Sequence, residues 1–214
     1  SLSYISDGHL YKANDMVKAD CGGCEGCSQC CRGMGSSIIL DPYDVYRLTT
    51  GIGKSMQELL ATSVELNVVD GVILPNLKMQ GTREACAYLD TEGRCSIHPY
   101  RPGICRLFPL GRHYENGGLF YFLQTGECAK ENRSKVKVSK WIDTPELKRN
   151  EQFKLQWHDL LSAMTDRVAG EDEGKQREEN LLLLRLFYLL PYEGTTDFYS
   201  QFTERMEHWN EQIG

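Results

Sequence analysis

The residues of this chain best suited to chemistry are cysteines, and five of the nine stand close together near the N-terminus. They belong to the run C-G-G-C-E-G-C-S-Q-C-C at residues 21–31. Two cysteines separated by two residues can direct both sulfur atoms at one ion, and this spacing is frequent in zinc and iron–sulfur sites. The other four cysteines lie far along the chain, so a shared metal site would tie the N-terminal segment to the middle of the protein.

Disulfides are the competing explanation for so many cysteines. The count of nine is odd, and the adjacent pair Cys30-Cys31 and the short spacers are poorly suited to pairing with one another. We also expect no secretory signal, because no charged-then-apolar segment leads the sequence. These features favour metal binding in a reducing compartment, and we expect a cytoplasmic protein.

The first cluster admits two sets of ligands. Cys21, Cys24, Cys27 and Cys31 reproduce the C-x2-C-x2-C-x3-C run of bacterial ferredoxins, but Arg32 stands where that run has proline, and no second run exists. The other set omits Cys21 and combines the remaining four cysteines of the cluster with the four later ones, which gives eight thiols.

Composition bounds the class of protein. The 214 residues are 41% apolar, which is enough for a real core, and no run of eighteen apolar residues indicates a membrane span. The net charge of −6 makes nucleic acid an unsuitable partner, because phosphate binding needs an excess of positive charge. We therefore expect neither a membrane nor a nucleic-acid interaction; a protein or small-molecule partner stays unidentified.

The elements that must position the cysteines are short in the first part of the chain. Strand patterns joined by turn residues predict a buried strand at 36–40 and hairpins at 64–77, 87–97 and 112–124. Asp41-Pro42 predicts a helix start, Ser55 and Glu58 predict a capping box for a second helix, and residues 102–107 predict a single helical turn.

Long helical patterns occupy the rest of the chain. Apolar stripes predict helices from Thr144 to about Gly170, from Gln176 to Leu190 and from about Thr196 to Ile213. We therefore predict an α+β fold, with a loop- and hairpin-rich, metal-stapled N-terminal part and an all-helical C-terminal part. Its expected divisions are an irregular arm over 1–20, a cysteine-cluster metal-binding domain over 21–138, and a helical region over 139–214 packed on that domain.

A family resemblance emerges from the cysteine motifs taken together. The sequence resembles cysteine-cluster proteins of the YkgJ type in the motifs Cys24-Glu-Gly-Cys27-Ser-Gln-Cys30-Cys31, Cys86-Ala-Tyr-Leu89, Gly93-Arg-Cys95-Ser-Ile97-His-Pro-Tyr-Arg101-Pro102-Gly-Ile-Cys105-Arg106-Leu-Phe-Pro109 and Gly126-Glu-Cys128. The resemblance covers roughly residues 21–140 and implies a zinc- or iron-chelating domain. The ligands that it implies are Cys24, Cys27, Cys30, Cys31, Cys86, Cys95, Cys105 and Cys128, which leaves Cys21 as an extra thiol.

The identity of the metal stays open between iron and zinc. Eight thiols could hold one tetrathiolate cluster with spare thiols, or two tetrahedral zinc ions. The family is similar to the flagellin lysine methylases, and that similarity implies an iron–sulfur cluster and favours [4Fe–4S]. Arg101 and Arg106 flank Cys105; they either offset the charge of the thiolates at the cofactor or hold backbone carbonyls at the surface. His98 could add a nitrogen ligand, although a structural role is more common for such a histidine.

Three functional hypotheses follow. The first is a [4Fe–4S] protein with a redox or group-transfer role. The second is a non-catalytic, zinc-stapled interaction module whose leucine-rich C-terminal region binds a partner. The third is an S-adenosylmethionine-dependent protein methyltransferase, although the sequence carries no glycine-rich fingerprint for that cofactor. Whether the protein is an enzyme is left open.

Overall fold

The computed structural model describes residues 2–24 and 27–213 and has the predicted α+β class. The helices are α1 Pro42–Ile52, α2 Met56–Thr62, α3 Gly103–Leu107, α4 Val138–Ile142, α5 Leu147–Val168, α6 Glu173–Leu184 and α7 Phe198–Ile213. The strands are β1 Met16–Asp20, β2 Val64–Val69, β3 Val72–Leu77, β4 Met79–Gln80, β5 Ala85–Cys86, β6 Leu110–Glu115, β7 Gly118–Leu123 and β8 Ser134–Lys137. In the part of the chain that is described, no helix has the length and apolarity needed to cross a bilayer.

The strands form four separate antiparallel pairs: β1 with β8, β2 with β3, β4 with β5, and β6 with β7. Three of these pairs are local. The fourth is long-range, because β1 ends one residue before Cys21 and β8 begins six residues after Cys128. The β1–β8 pair therefore holds together the two ends of the segment that carries all nine cysteines.

Two hairpins confirm the turn signals of the sequence. Asp70 and Gly71 both have positive φ, 50° and 82°, between β2 and β3, and Asn116 and Gly117 have φ of 50° and 70° between β6 and β7. Such left-handed pairs match the twist of the flanking strands, which is why Asp-Gly and Asn-Gly are common at two-residue turns.

The predicted hairpin at 87–97 is wrong in its extent. Its two arms share a single bridge, Leu89 to Cys95, and the turn is closed by Asp90, whose side chain accepts from the backbone N–H of Arg94 at 2.8 Å. Cys86 lies instead in β5, opposite Met79 of β4. The arms are too short for a ladder, and Ala87, the residue expected to start the first arm, donates its backbone N–H to the Lys78 carbonyl at 3.1 Å instead.

The predicted strand at 36–40 is also reduced to a bridge, between Ile39 and Asn76 of β3. Leu40 N–H donates to the Pro75 carbonyl at 2.8 Å, and the chain then turns directly into α1. Asp41 caps this helix together with Asp44 in a reciprocal capping box, which confirms the predicted helix start and prevents the extended segment from continuing past residue 40.

The N-terminal arm is more ordered than the sequence predicted. Within residues 1–20, expected to be irregular, β1 pairs with β8 and buries Val17 and Ala19, which are 1% and 0% exposed. The strand whose alternation places these two side chains inward is only five residues long, and its partner strand lies more than a hundred residues away in the sequence. A short strand of this kind carries no local turn signal, so the sequence alone did not reveal it.

Two hydrophobic clusters support the cysteine segment from different sides. The larger cluster joins α1, α2 and the β2–β3 hairpin to the helices after residue 146, with Phe153, Phe187 and Phe202 at its centre. The smaller one joins β1, the β6–β7 hairpin, β8 and α4. Cys86, Cys95 and Cys105 pack against the edge of the larger cluster, so these three thiols stand on core-supported segments.

Candidate metal centre

Seven of the eight predicted ligands line one cavity of about 180 Å³. These residues are Cys24, Cys27, Cys30, Cys31, Cys86, Cys95 and Cys105. Apolar side chains, including Ile38, Leu77, Phe108 and Trp141, complete the walls. The fold thus brings thiols from four separate stretches of sequence to a single, largely apolar space.

The first cluster is a tight loop with an unusual backbone. Gly22, Gly23 and Cys24 have consecutive positive φ values of 70°, 76° and 58°. Glycine adopts this conformation freely, whereas a side chain costs about 1 kcal/mol or more there, so the backbone at Cys24 is strained. Such strain is common at functional sites.

Backbone bonds join this loop to the strand that carries Cys86. A one-turn 3₁₀ helix, Gln29–Cys31, presents the adjacent pair of cysteines. Immediately after it, Arg32 bridges to Ala85 and Gly33 N–H donates to the Glu84 carbonyl at 2.9 Å. These contacts bring the Cys30-Cys31 pair to β5.

Cys105 is positioned through a buried carboxylate. Asp44 of α1 is 4% exposed, and its Oδ1 accepts from the backbone N–H of Gly103, the first residue of α3, at 2.7 Å. Its Oδ2 accepts from Asp41 N–H at 3.0 Å. Burial and the neighbouring Asp41 raise the pKa of Asp44 to about 6. The short helix that carries Cys105 is therefore fixed to α1.

Cys128 and Cys21 lie outside the lining of this cavity. The Sγ of Cys21 stands 3.2 Å from the Sγ of Cys24, and Cys128 is near enough to Cys24 to influence its thiol. Burial is the largest cause, and the hydrogen bond with Cys21 the second, of the rise in the pKa of Cys24 to about 12. The thiols at positions 21, 24 and 128 thus form a group at the rim.

The inner thiols differ in their ionisation. The hydrogen bond from the Cys31 thiol and, less strongly, the charge of Arg101 lower the pKa of Cys30 to about 7. Burial raises the pKa of Cys86, Cys95 and Cys105. Only the thiolate form binds metal, so a cation bound here would have to displace protons from the buried thiols.

Among the described cysteines, histidines, aspartates and glutamates, no group of three has the close convergence of a finished metal site. The cavity lining shows the same thiols standing around a space rather than touching at one point. The donor set nonetheless fits a thiolate-bound metal, because soft sulfur ligands suit zinc and iron–sulfur clusters and, among the residues that the structure describes, no carboxylate lines the cavity. The eight-cysteine ligand assignment itself stays a prediction.

Arg101, Arg106 and His98 also line the cavity. Arg106 donates to the carbonyls of Pro99, at 3.0 Å, and Asp143, at 2.7 Å, so the carbonyl-holding alternative describes part of its role. Arg101 contacts the ring of His98 through its terminal nitrogen, while its buried Nε has no hydrogen-bond partner in the described residues. Burial, and then the charge of Arg101, lower the pKa of His98.

Two features of the site were missed by sequence reasoning. Trp141 reaches the cavity from α4 and donates its Nε1–H to the Leu107 carbonyl at 3.2 Å. The second is Asp44, which helps to position Cys105 by accepting a hydrogen bond from the first residue of α3. The acidic residue three positions after Asp41 was a visible capping signal, but nothing local indicated that the same carboxylate also holds a segment 59 residues away.

A comparison with protein families gives one match. The model named CxxCxxCC, described as "Putative zinc- or iron-chelating domain", matches residues 23–135. This region includes all eight predicted ligands and begins after Cys21. Neither the curated proteins nor the solved structures yielded a significant match.

Proposed function

The chain belongs to the CxxCxxCC family of zinc- or iron-chelating domains, and we propose that its thiols hold a [4Fe–4S] cluster with a redox or group-transfer role. The family match supports metal binding. The kind of metal and the chemistry are the proposal.

The observation that carries the proposal is the size of the thiol-lined cavity. A space of about 180 Å³ has room for several water-sized groups, far more than one ion requires. A cluster of iron and sulfide would fill such a space without a large inward movement of the surrounding side chains, whereas a single zinc ion would require four sulfurs to close around it.

The surrounding residues suit a cluster that changes its charge. An iron–sulfur cluster supplies one-electron transfer or activation of a group bound at its open edge. Arg101 and Arg106 at the cavity wall would offset the negative charge of the thiolates, and the apolar walls would limit access of water. Both effects set the potential of such a centre.

The cellular setting belongs to the same proposal. Nine cysteines without a disulfide partner are typical of a reducing compartment, which supports a cytoplasmic location. The partner in such a compartment would be a protein or a small molecule that exchanges electrons or a group with the centre.

Metal and sulfide analysis of anaerobically purified protein tests the proposal. We expect about four iron and four acid-labile sulfide per chain, and a broad visible absorption that a reductant bleaches. Cys105→Ser should lower the iron content, whereas Cys21→Ser should leave it unchanged. Colourless protein that retains stoichiometric zinc and no sulfide would overturn the proposal.

A second candidate function is a zinc-stapled interaction module, and one observation favours it. Besides the thiols inside the cavity, three thiols at positions 21, 24 and 128 lie at its rim, so a second zinc ion could bind there with one further ligand from outside this group. Exposed apolar side chains on the C-terminal helical part, such as Leu181 and Leu190 at 56% and 46% exposure, could then contact a protein partner. Two zinc ions per chain and no iron would favour this alternative.

A further inference from the structure

A second cavity, next to the thiol-lined one, is surrounded by positive charge. It measures about 10 Å³, and five cationic side chains line it together with a single carboxylate, that of Asp44. The cations are Arg47, Arg101, Arg106, Arg112 and Lys154. This concentration is unusual in a chain whose net charge is −6.

The guanidinium groups are held side by side although like charges repel. The Pro99 carbonyl accepts from Arg47 Nη2 at 2.8 Å and from Arg106 Nη2 at 3.0 Å, so one oxygen holds two guanidiniums. A Cβ placed on Gly103 would lie 3.3 Å from both Arg112 Nη2 and Lys154 Nζ. Arg47 and Arg106 are thus joined at one carbonyl, and Arg112 and Lys154 both lie close to Gly103, which lines the same cavity.

The negative charge available within the protein is too small to balance them. Lys154 pairs with Asp41, and Arg106 lies 3.9 Å from Asp143, whose side chain is 88% exposed. Within residues 2–24 and 27–213, no ion pair involves Arg47, Arg101 or Arg112.

An unused hydrogen-bond donor marks the same place. Arg101 lines this cavity, and its buried Nε makes no hydrogen bond to any described residue. A buried nitrogen donor without a partner is destabilising, so a group that accepts a hydrogen bond from it would be stabilised there.

From this arrangement we infer that the cavity lined by Arg47, Arg101 and Arg112 is a binding site for an oxyanion, the carboxylate or phosphate end group of a small molecule. Arginine side chains bind both groups through paired hydrogen bonds. The volume is about that of one water, so a single oxygen of the oxyanion would enter the cavity and the rest of the molecule would lie outside it. The shared lining residues Arg101 and Arg106 would hold the anion beside the thiol-lined cavity. The inference goes beyond the proposed function and does not depend on which metal is bound.

Binding of simple oxyanions to the protein as purified tests this inference. Inorganic phosphate and acetate are titrated separately, with sodium chloride at matched ionic strength as the control, and binding is followed by calorimetry and by the shift in Tm. We expect at least one oxyanion to bind and to raise the Tm more than chloride does. Protection by phosphate alone or by acetate alone identifies the group that the site accepts.

Charge-matched variants separate a built site from general attraction. Arg112→Gln and Arg47→Gln each remove a lining cation and should raise the Kd for the oxyanion about tenfold or more, the effect of one charge-assisted hydrogen bond. Arg177→Gln removes the same charge from an exposed position on α6 and should change the Kd less than about twofold.

The inference is overturned if neither oxyanion binds more tightly than chloride, or if the Arg177 variant loses as much affinity as the lining variants. Metal content is measured in the same samples. Oxyanion binding without iron would contradict only the proposed function, and iron without oxyanion binding would contradict only this inference.

Discussion

Cys105→Ser replaces a thiol that lines the cavity, whereas Cys21→Ser replaces one that lies outside both the cavity lining and the family match. Both substitutions replace a sulfur atom by an oxygen atom. They therefore separate the contribution of a metal ligand to stability from the general effect of losing a sulfur.

The expected magnitude follows from two terms. A serine hydroxyl left unpaired at the Cys105 position costs about 1–3 kcal/mol with or without metal. Loss of a ligand adds about 2.8 kcal/mol, if metal affinity falls by about 100-fold and metal saturates the protein. The sum of about 4–6 kcal/mol corresponds to a fall in Tm of roughly 8–24 °C for a chain of this size. For Cys21→Ser we expect less than about 1 kcal/mol, or roughly 4 °C at most.

The assay compares Tm for the wild type and both variants, first as purified and then after metal removal with a chelator. After metal removal, the difference in stability between Cys105→Ser and the wild type should shrink to the cost of the unpaired hydroxyl. The wild type then no longer has the stabilisation that its tighter metal binding gave it. Equal deficits for the two variants as purified would refute the assignment of Cys105 as a ligand. A Cys105→Ser deficit that metal removal leaves unchanged would refute the linkage.

Three further predictions concern the scaffold. Asn180 accepts from a backbone N–H of β3 and donates to the carbonyl of the β2–β3 turn, so Asn180→Ala should cost about 2–4 kcal/mol in urea denaturation, and a loss below about 1 kcal/mol would contradict this role. Arg205 is 5% exposed and donates to three backbone carbonyls in and just after the π-helical turn Arg185–Leu189 that follows α6. Arg205→Met should therefore destabilise the protein by about 3–5 kcal/mol, and an unchanged denaturation midpoint would count against these contacts. Burial, and then the hydrogen bond to Asp7, raise the pKa of Tyr11 from 10.0 to about 12. The stability that the protonated Tyr11 contributes is therefore present below pH 10 and lost as the pH rises through 12. Tyr11→Phe should make the free energy of unfolding less dependent on pH between these values, and parallel pH profiles of variant and wild type would contradict this.

Local signals in the sequence were sufficient for the elements that form locally. Asp70-Gly71 and Asn116-Gly117 gave the two longer hairpins, and the capping box at Ser55 gave the start of α2. In these cases the residues that determine the conformation are the residues that adopt it. A turn that requires positive φ, or a helix N-terminus with unpaired N–H groups, restricts the sequence at that position.

The long-range parts of the site could not be derived in the same way. The candidate ligands could be named from their spacing and their resemblance, because thiols in clustered motifs have few other uses. Their positions relative to one another depend on contacts such as Asp44 with the N–H of Gly103 and the pairing of β1 with β8. Each of these contacts joins segments more than fifty residues apart, and neither partner carries a signal that specifies the other.

The contacts that hold each thiol also indicate how the site is assembled. Cys86, Cys95 and Cys105 pack against the larger hydrophobic cluster, so the apolar core places them without help from a metal. Cys24 belongs to a loop with left-handed backbone, and a non-glycine residue there costs about 1 kcal/mol or more. The β1–β8 pair anchors both flanks of the cysteine segment, but it does not fix the backbone at Cys24. A bound metal would offset that strain by joining this thiol to the core-supported ones, which is why we expect the N-terminal loop, more than the core, to depend on metal for its structure.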